Sequence, residues 1–262
     1  MGRIYTLVNQ KGGVGKTTTA INLGAYLVHF GQRVLIVDID PQANATSCLG
    51  VDKQNVKGST YDAMLGSTPA TSLVLYNDRL KLALLPSSPS LAGAEVELVD
   101  QPGRETRLKQ AITTLAERYD YVLIDCPPSL GLLTVNGLMA ARDGVIIPVQ
   151  CEYLALEGLG QLTQTIQLIR SGLFPALKVR GVVLTMFDGR TRLSTDVVTE
   201  VNNHFPEQVF KSVVPRSIRL AEAPSYGLPV SAYAPGSTGA NAYEELAREL
   251  LVGDGVSVPV LG

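Results

Sequence analysis

The chain has 262 residues, of which 45% are hydrophobic and 18% charged, values ordinary for a soluble globular protein with a real core. A net charge of −2 and a pI of about 5.8 give no global sign of a nucleic-acid partner, and no apolar run approaches the ~18 residues that span a bilayer. Cys48, Cys126 and Cys151 are odd in number and lack a CxxC spacing, so they indicate neither a disulfide framework nor a zinc site, and a reducing cytoplasm is the expected compartment.

In chain order, MGRIYTLVNQ reads as buried strand over 3–9, not as a secretory leader or a myristoylation site. A glycine loop follows, then a helix over 16–30 stopped by Gly31. RVLIVD at 33–38 is a nearly continuous apolar strand, as expected when both sheet faces are covered. Runs at 81–85, 121–125, 145–149 and 179–185 read the same way. Helical spacing joins Leu108, Ile112, Leu115 and Tyr119, and also Leu159, Leu162, Ile166 and Ile169. The Ser/Pro-rich LLPSSPSLAG reads as a loop after a strand, and GDGVSVPVLG as a frayed tail. This alternation predicts an α/β fold: a doubly wound, mainly parallel sheet flanked by helices, of the P-loop NTPase type. One domain is expected over 1–252, with a flexible tail over 253–262.

NQKGGVGKTTTA departs from the usual G-x-x-x-x-G-K-[ST] pattern, because Gln10 stands where the first Gly should be and a second lysine, Lys11, follows it. Gly12, Gly13 and Gly15 still leave the backbone free to curl N–H groups around phosphate, and the next helix turns its positive end toward the same anion. The phosphate cradle is therefore assigned to Gly12, Gly13, Val14, Gly15, Lys16, Thr17 and Thr18. Lys16 would reach the β- and γ-phosphates and Thr17 would place a hydroxyl on Mg²⁺. Hydrolysis also needs charge for the metal and a group that positions water. VLIDCPPS puts Asp125 at the end of an apolar strand, the Walker B arrangement. VDIDPQAN supplies Asp38, which reads equally as a strand-end cap, and Asp40, further into the loop. Lys16, Asp40 and Asp125 are the catalytic candidates; the candidate Mg²⁺ set is Thr17, Asp40 and Asp125.

KGGVGKTTTA, DIDPQANAT, LIDCPPSLG, PVQCEYLALEGL, TMFDGRTRLS and PRSIRLAEAPSYG run from position 5 to about 245. Together they resemble the ParA/Soj branch of the deviant-Walker-A ATPases, a superfamily that also includes MinD and the nitrogenase iron protein. The resemblance implies an ATP- and Mg²⁺-dependent ATPase that forms an ATP-sandwich homodimer, with Lys11 contacting the partner's nucleotide in trans. It likens Asp40 to the switch I aspartate, Asp125 to the switch II aspartate, and Glu152 to a residue reaching nucleotide across the interface. It also sets Pro215 near adenine. It further implies non-specific double-stranded DNA as a partner, a nucleoid-associated cytoplasmic location, and a ParB-type centromere-binding protein in chromosome or plasmid partitioning. The family's DNA-contacting arginines fall on Arg190 and Arg219, with Arg192 and Arg216 added from their nearness in sequence. Arginine suits such contacts because its charged fork can bond two phosphate oxygens. Between 178 and 219 there are 7 Lys+Arg against 4 Asp+Glu, a local +3 that matters only if those cations share a face.

Three competitors remain. A MinD-like membrane-cycling ATPase needs a basic amphipathic C-terminal helix, whereas Glu244, Glu245 and Glu249 here stand against Arg248. An iron–sulfur reductase needs two cluster cysteines at a dimer axis, and Cys126 and Cys151 read as small buried residues. A ParA-like ATPase that positions a protein cargo on the nucleoid differs only in its adaptor.

Overall fold

The computed structural model describes residues 2–152 and 155–258. Seven strands form one sheet: β1 (Arg3–Leu7), β2 (Val34–Asp38), β3 (Leu75–Asn77), β4 (Leu82–Leu85), β5 (Tyr121–Asp125), β6 (Gly144–Gln150) and β7 (Val179–Thr185). Their spatial order is β3-β4-β2-β5-β1-β6-β7, and every neighbouring pair is parallel except β3 with β4. The mainly parallel, doubly wound sheet expected from the alternation is the one observed.

Successive residues of the central strands serve opposite faces, as the two-residue period requires. Tyr5, Leu7, Val34, Ile36, Tyr121 and Leu123 pack on one side. That side is closed by the helices Lys16–His29 and Thr238–Gly253, with Leu23, Leu27, Leu246 and Leu250. Ile4, Leu35, Val37, Val122 and Ile124 face the other side, where Leu108, Ile112 and Leu115 of the helix Arg107–Ala116 cover them. Strands buried on both faces are why RVLIVD and YVLID are almost free of polar residues.

Element ends moved by one to three residues. The first strand stops at Leu7, the first helix at His29, and the helix expected to include Tyr119 ends at Ala116. The antiparallel edge strand β3 was not foreseen; at three residues, with Leu75 and Tyr76 exposed, it is too short to show a periodicity.

Ordered packing runs past the boundary expected at 252. The Asp254 side chain is 2% exposed and accepts hydrogen bonds from Tyr5 Oη at 2.8 Å, Tyr121 Oη at 3.0 Å and Arg180 Nε at 3.0 Å. Arg3 Nε stands 3.4 Å from the same carboxylate. Burial, reinforced by Asp254, pushes both phenols far above the ordinary tyrosine range. Asp254 thus ties the end of the last helix to β1, β5 and β7, while residues 259–262 lie outside the described ones. Asp254→Ala would leave two guanidinium groups and two phenols without their acceptor. The expected loss is about 3 kcal/mol of unfolding free energy, read from a urea titration.

Candidate functional site

The carboxyl ends of β1, β2 and β5 lie side by side, with Asp125 in register with both Leu7 and Asp38. This edge is where an open parallel sheet collects ligands, and the candidate residues gather there. The glycine loop leaves β1 and is pinned at its start by Asn9. The Asn9 side-chain amide donates to Pro148 O at 2.8 Å and its oxygen accepts the Lys11 N–H at 3.0 Å. Gly13 and Gly15 have φ of 75° and 91°, the left-handed region that a side chain rarely adopts. Val14 is buried, and its carbonyl accepts the Thr185 hydroxyl at 2.8 Å. The 14-residue helix that follows has no side-chain cap and no acidic residue in its first turn. Its N–H groups are therefore left for an anion.

Lys16 is only 6% exposed, and its ammonium donates to the Lys11 carbonyl at 3.1 Å. Burial lowers its pKa, opposed by the charges of Asp125, Cys126 and Asp40. Thr17 Oγ1 donates to Asp125 Oδ2 at 2.6 Å, while Asp125 Oδ1, fully buried, has no partner. Burial and the nearby Asp38 charge hold Asp125 well above the usual carboxylate range. Asp38 is likewise fully enclosed and is pushed up to about 6 by burial, against the hydrogen bonds it accepts from Thr46 and Asp40.

Asp125 and Asp40 act on the buried Lys16 ammonium, Asp38 adds its charge beside Asp125, and one Asp125 oxygen is orphaned. That excess of negative charge, with a threonine hydroxyl alongside, is a hard-oxygen environment that fits Mg²⁺. Among the described residues no group of three or more His, Cys, Asp or Glu could hold a metal alone, so phosphate and water oxygens would complete the shell, as is usual for Mg²⁺. Asp40, expected among the ligands, meets this set through its charge. Its Oδ1 accepts the Gln42 N–H at 2.9 Å.

Beside the loop lies a cavity of about 310 Å³ whose lining includes Gly15, Thr18, Thr185, Pro215 and Tyr243. Pro215 therefore sits within reach of a ligand on the loop. Met186, at the end of β7, adopts a φ of 51° and lines this cavity as well as a neighbouring one of about 570 Å³. Glu152, Asp188 and Arg216 line the second, and Arg216 Nη2 donates to Glu152 Oε1 at 2.9 Å. Two residues assigned to different ligands are thus bonded to each other. Residues 153 and 154 of the same block lie outside the described ones.

All four candidate DNA arginines have carboxylate neighbours. Arg190 forks onto Asp188 at 2.8 and 2.6 Å, Arg192 stands 3.8 Å from Asp196, and Arg219 donates to Glu222 at 2.9 Å. Hydrogen bonds from Arg190 hold Asp188 down at about 2. The heads of Arg190 and Arg192 are 87% and 94% exposed, and exposed pairs of this kind exchange readily for another anion. Phe187 forms a β-bridge with Pro215 and accepts the Arg216 N–H at 3.0 Å, so the loops carrying Arg190 and Arg216 are adjacent. The local excess of cations is diluted by Glu152 and Glu222, which come from outside or beyond the basic window.

Asp38, Thr46, Ser87, Asn9 and Thr185 all shape the site and were not assigned to it from sequence. VDID displayed Asp38; the others each have a partner far along the chain, Asn9 at Pro148, Thr46 at Ser87 and Thr185 at Val14, which no local pattern shows. Cys126 and Cys151 are 1% and 2% exposed, and burial raises both thiols, Cys151 to about 11.

A family model described as an AAA domain matches residues 2–179. The chain is 53% identical over 254 residues to the chromosome partitioning protein ParA of Myxococcus xanthus (strain DK1622), covering 97% of this chain and 89% of that protein. It is 51% identical over 250 residues to the sporulation initiation inhibitor protein Soj of Bacillus subtilis (strain 168), covering 95% and 98%. Among solved structures, a cobyrinic acid a,c-diamide synthase from Mycobacterium smegmatis with bound ADP and magnesium superposes with a TM-score of 0.85 at 39% identity, over 100% of both chains.

Proposed function

The chain belongs to the ParA/Soj family of chromosome-partitioning ATPases, and from that premise we propose how its residues divide the work. The reaction is hydrolysis of ATP to ADP and phosphate. The loop from Gly12 to Thr18 receives the phosphates, and Lys16 turns from the Lys11 carbonyl to the β- and γ-oxygens. Thr17 and Asp125 would hold Mg²⁺, which when bound supplies positive charge against the same oxygens. Asp40 orients the attacking water. Adenine lies in the cavity at Pro215, and Glu152 reaches toward the partner's nucleotide.

One observation carries the dimer. The Lys11 N–H is held by Asn9 and its carbonyl by Lys16, yet its ammonium has no partner among the described residues. Next to it, Gly12 is exposed, and a Cβ there would meet only Pro128 Cβ at 3.9 Å. A rigidly held backbone thus offers a free cation and a flat glycine to a second subunit. There Lys11 neutralises the partner's triphosphate, and loss of the γ-phosphate weakens the pair.

The ATP dimer binds double-stranded DNA without sequence preference through Arg190 and Arg219, with Arg192 and Arg216 assisting. Family membership implies a ParB-type partner, which stimulates turnover. The expected location is the nucleoid; no described helix is long and apolar enough to cross a membrane. The last helix supports this placement. Its Leu246 and Leu250 are fully buried, and Glu249 is engaged by the backbone of Lys211 and Ser212.

Two arginines per subunit give a dimer about four phosphate contacts, so log K should fall with log[salt] at a slope near −3.6. Arg219→Ala should flatten this by about 1.8. Fluorescence anisotropy on a random duplex, in ATP and in ADP across a salt series, checks both. An unchanged slope in the variant, or equal affinity in the two nucleotides, would contradict the assignment.

A further inference from the structure

Asp40 is held by a closed ring of buried hydrogen bonds drawn from three separate segments. Its N–H donates to Asp38 Oδ1 at 3.1 Å. Asp38 Oδ2 accepts the Thr46 hydroxyl at 2.7 Å and the Thr46 N–H at 2.8 Å. The same hydroxyl accepts the Ser87 N–H at 2.9 Å, and the Ser87 hydroxyl donates back to the Asp40 carbonyl at 2.7 Å. Asp38, Thr46 and Ser87 are 0% exposed and Asp40 is 5% exposed. A further bond, Thr60 Oγ1 to Asp38 O at 2.9 Å, fixes the strand end from outside the ring.

The ring grips Asp40 by both its main-chain groups and leaves its carboxylate out. One carboxylate oxygen takes the Gln42 N–H, and the other has no partner among the described residues. The backbone is therefore fixed while the reactive end stays available. Ser87 sits just beyond β4, in the LLPSSPS loop that the nucleotide chemistry does not otherwise use. β4 lies beside β2 in register, which brings this loop against the Asp40 turn.

We propose that Ser87, bonded to the Asp40 carbonyl, and Thr46, acting through Asp38, are positioning residues that hold the Asp40 carboxylate where it orients the attacking water. The proposal rests on the reading of Asp40 as the hydrolytic aspartate. None of the three belongs to the phosphate loop; Asp38 and Ser87 bond the Asp40 main chain, and Thr46 bonds both of them. Displacement of a catalytic group by about 1 Å can lower a rate by about 100-fold without altering substrate binding.

The test compares Ser87→Ala, Thr46→Val, Thr46→Ser and Asp40→Ala in full-length protein. Phosphate release in saturating Mg-ATP with DNA gives kcat, and titration with a fluorescent ATP analogue gives Kd. Thr46→Val keeps the shape but removes both hydroxyl bonds; Thr46→Ser keeps the hydroxyl. The expected result is a fall in kcat of about 10- to 100-fold for Ser87→Ala and Thr46→Val. Kd should stay within about twofold, and Thr46→Ser should recover most of the rate. If kcat is unchanged in Ser87→Ala and Thr46→Val while Asp40→Ala is inactive, the positioning role is wrong and Asp40 keeps its own. If Kd weakens in step with kcat, the ring supports the pocket as a whole and the proposal also falls. Normal turnover by Asp40→Ala would remove the premise instead.

Discussion

Lys16→Ala abolishes nucleotide binding, and turnover with it. The ammonium is buried against Asp125 and Asp40 and donates to the Lys11 carbonyl, its one hydrogen-bond partner among the described residues. Its removal takes the positive charge away from Asp125 and Asp40, just where a triphosphate adds further negative charge. Removing one partner from a buried, charge-assisted arrangement costs roughly 3–5 kcal/mol. Since about 1.4 kcal/mol is tenfold, the affinity for Mg-ATP should fall by at least about 100-fold. Isothermal titration with Mg-ATP reads this directly. Lys11→Ala is the contrast: its ammonium has no hydrogen-bond or ion-pair partner among the described residues, so single-subunit affinity should hold. A Lys16→Ala protein that bound within tenfold of the parent would overturn the assigned role.

Asp40→Ala separates binding from hydrolysis. The ring of Asp38, Thr46 and Ser87 uses only the main-chain atoms of Asp40, so the turn should survive loss of the carboxylate. Lys16, Thr17 and Asp125 remain in place. ATP should therefore bind normally, while turnover falls by about 10²–10⁴-fold, the usual contribution of a positioned acid–base group. With hydrolysis blocked, the ATP dimer should accumulate. Phosphate release and nucleotide titration on one preparation check both halves. Normal turnover would sink the role of Asp40.

What was legible in the sequence was whatever is local. The P-loop was readable because one uninterrupted segment supplies the glycines, the lysines and the threonine. The strands were readable because burial on both faces leaves RVLIVD and YVLID apolar except at their ends. The pairing of Arg190 with Asp188 and of Arg219 with Glu222 spans two and three residues, and lay within reach of a closer reading. The rest depends on distance along the chain. Thr46 meets Ser87 across 41 residues, and Arg216 meets Glu152 across 64. Asp254 falls in the GDGVSVPVLG stretch expected to fray, yet its partners Tyr5, Tyr121 and Arg180 lie 249, 133 and 74 residues away. Nothing in a periodicity marks such contacts; only the folded sheet brings them together.

With no partner for the Lys11 ammonium among the described residues, the dimer is the claim on which the proposed DNA switch depends. Sedimentation equilibrium in Mg-ATP of Asp40→Ala, alone and combined with Lys11→Ala, tests it most directly. The predicted result is a mass of twice 27.9 kDa for Asp40→Ala and a mass of 27.9 kDa for the double variant, with ATP bound to both. The same dimeric mass in both proteins, or a monomer in both, would contradict a lysine that works in trans.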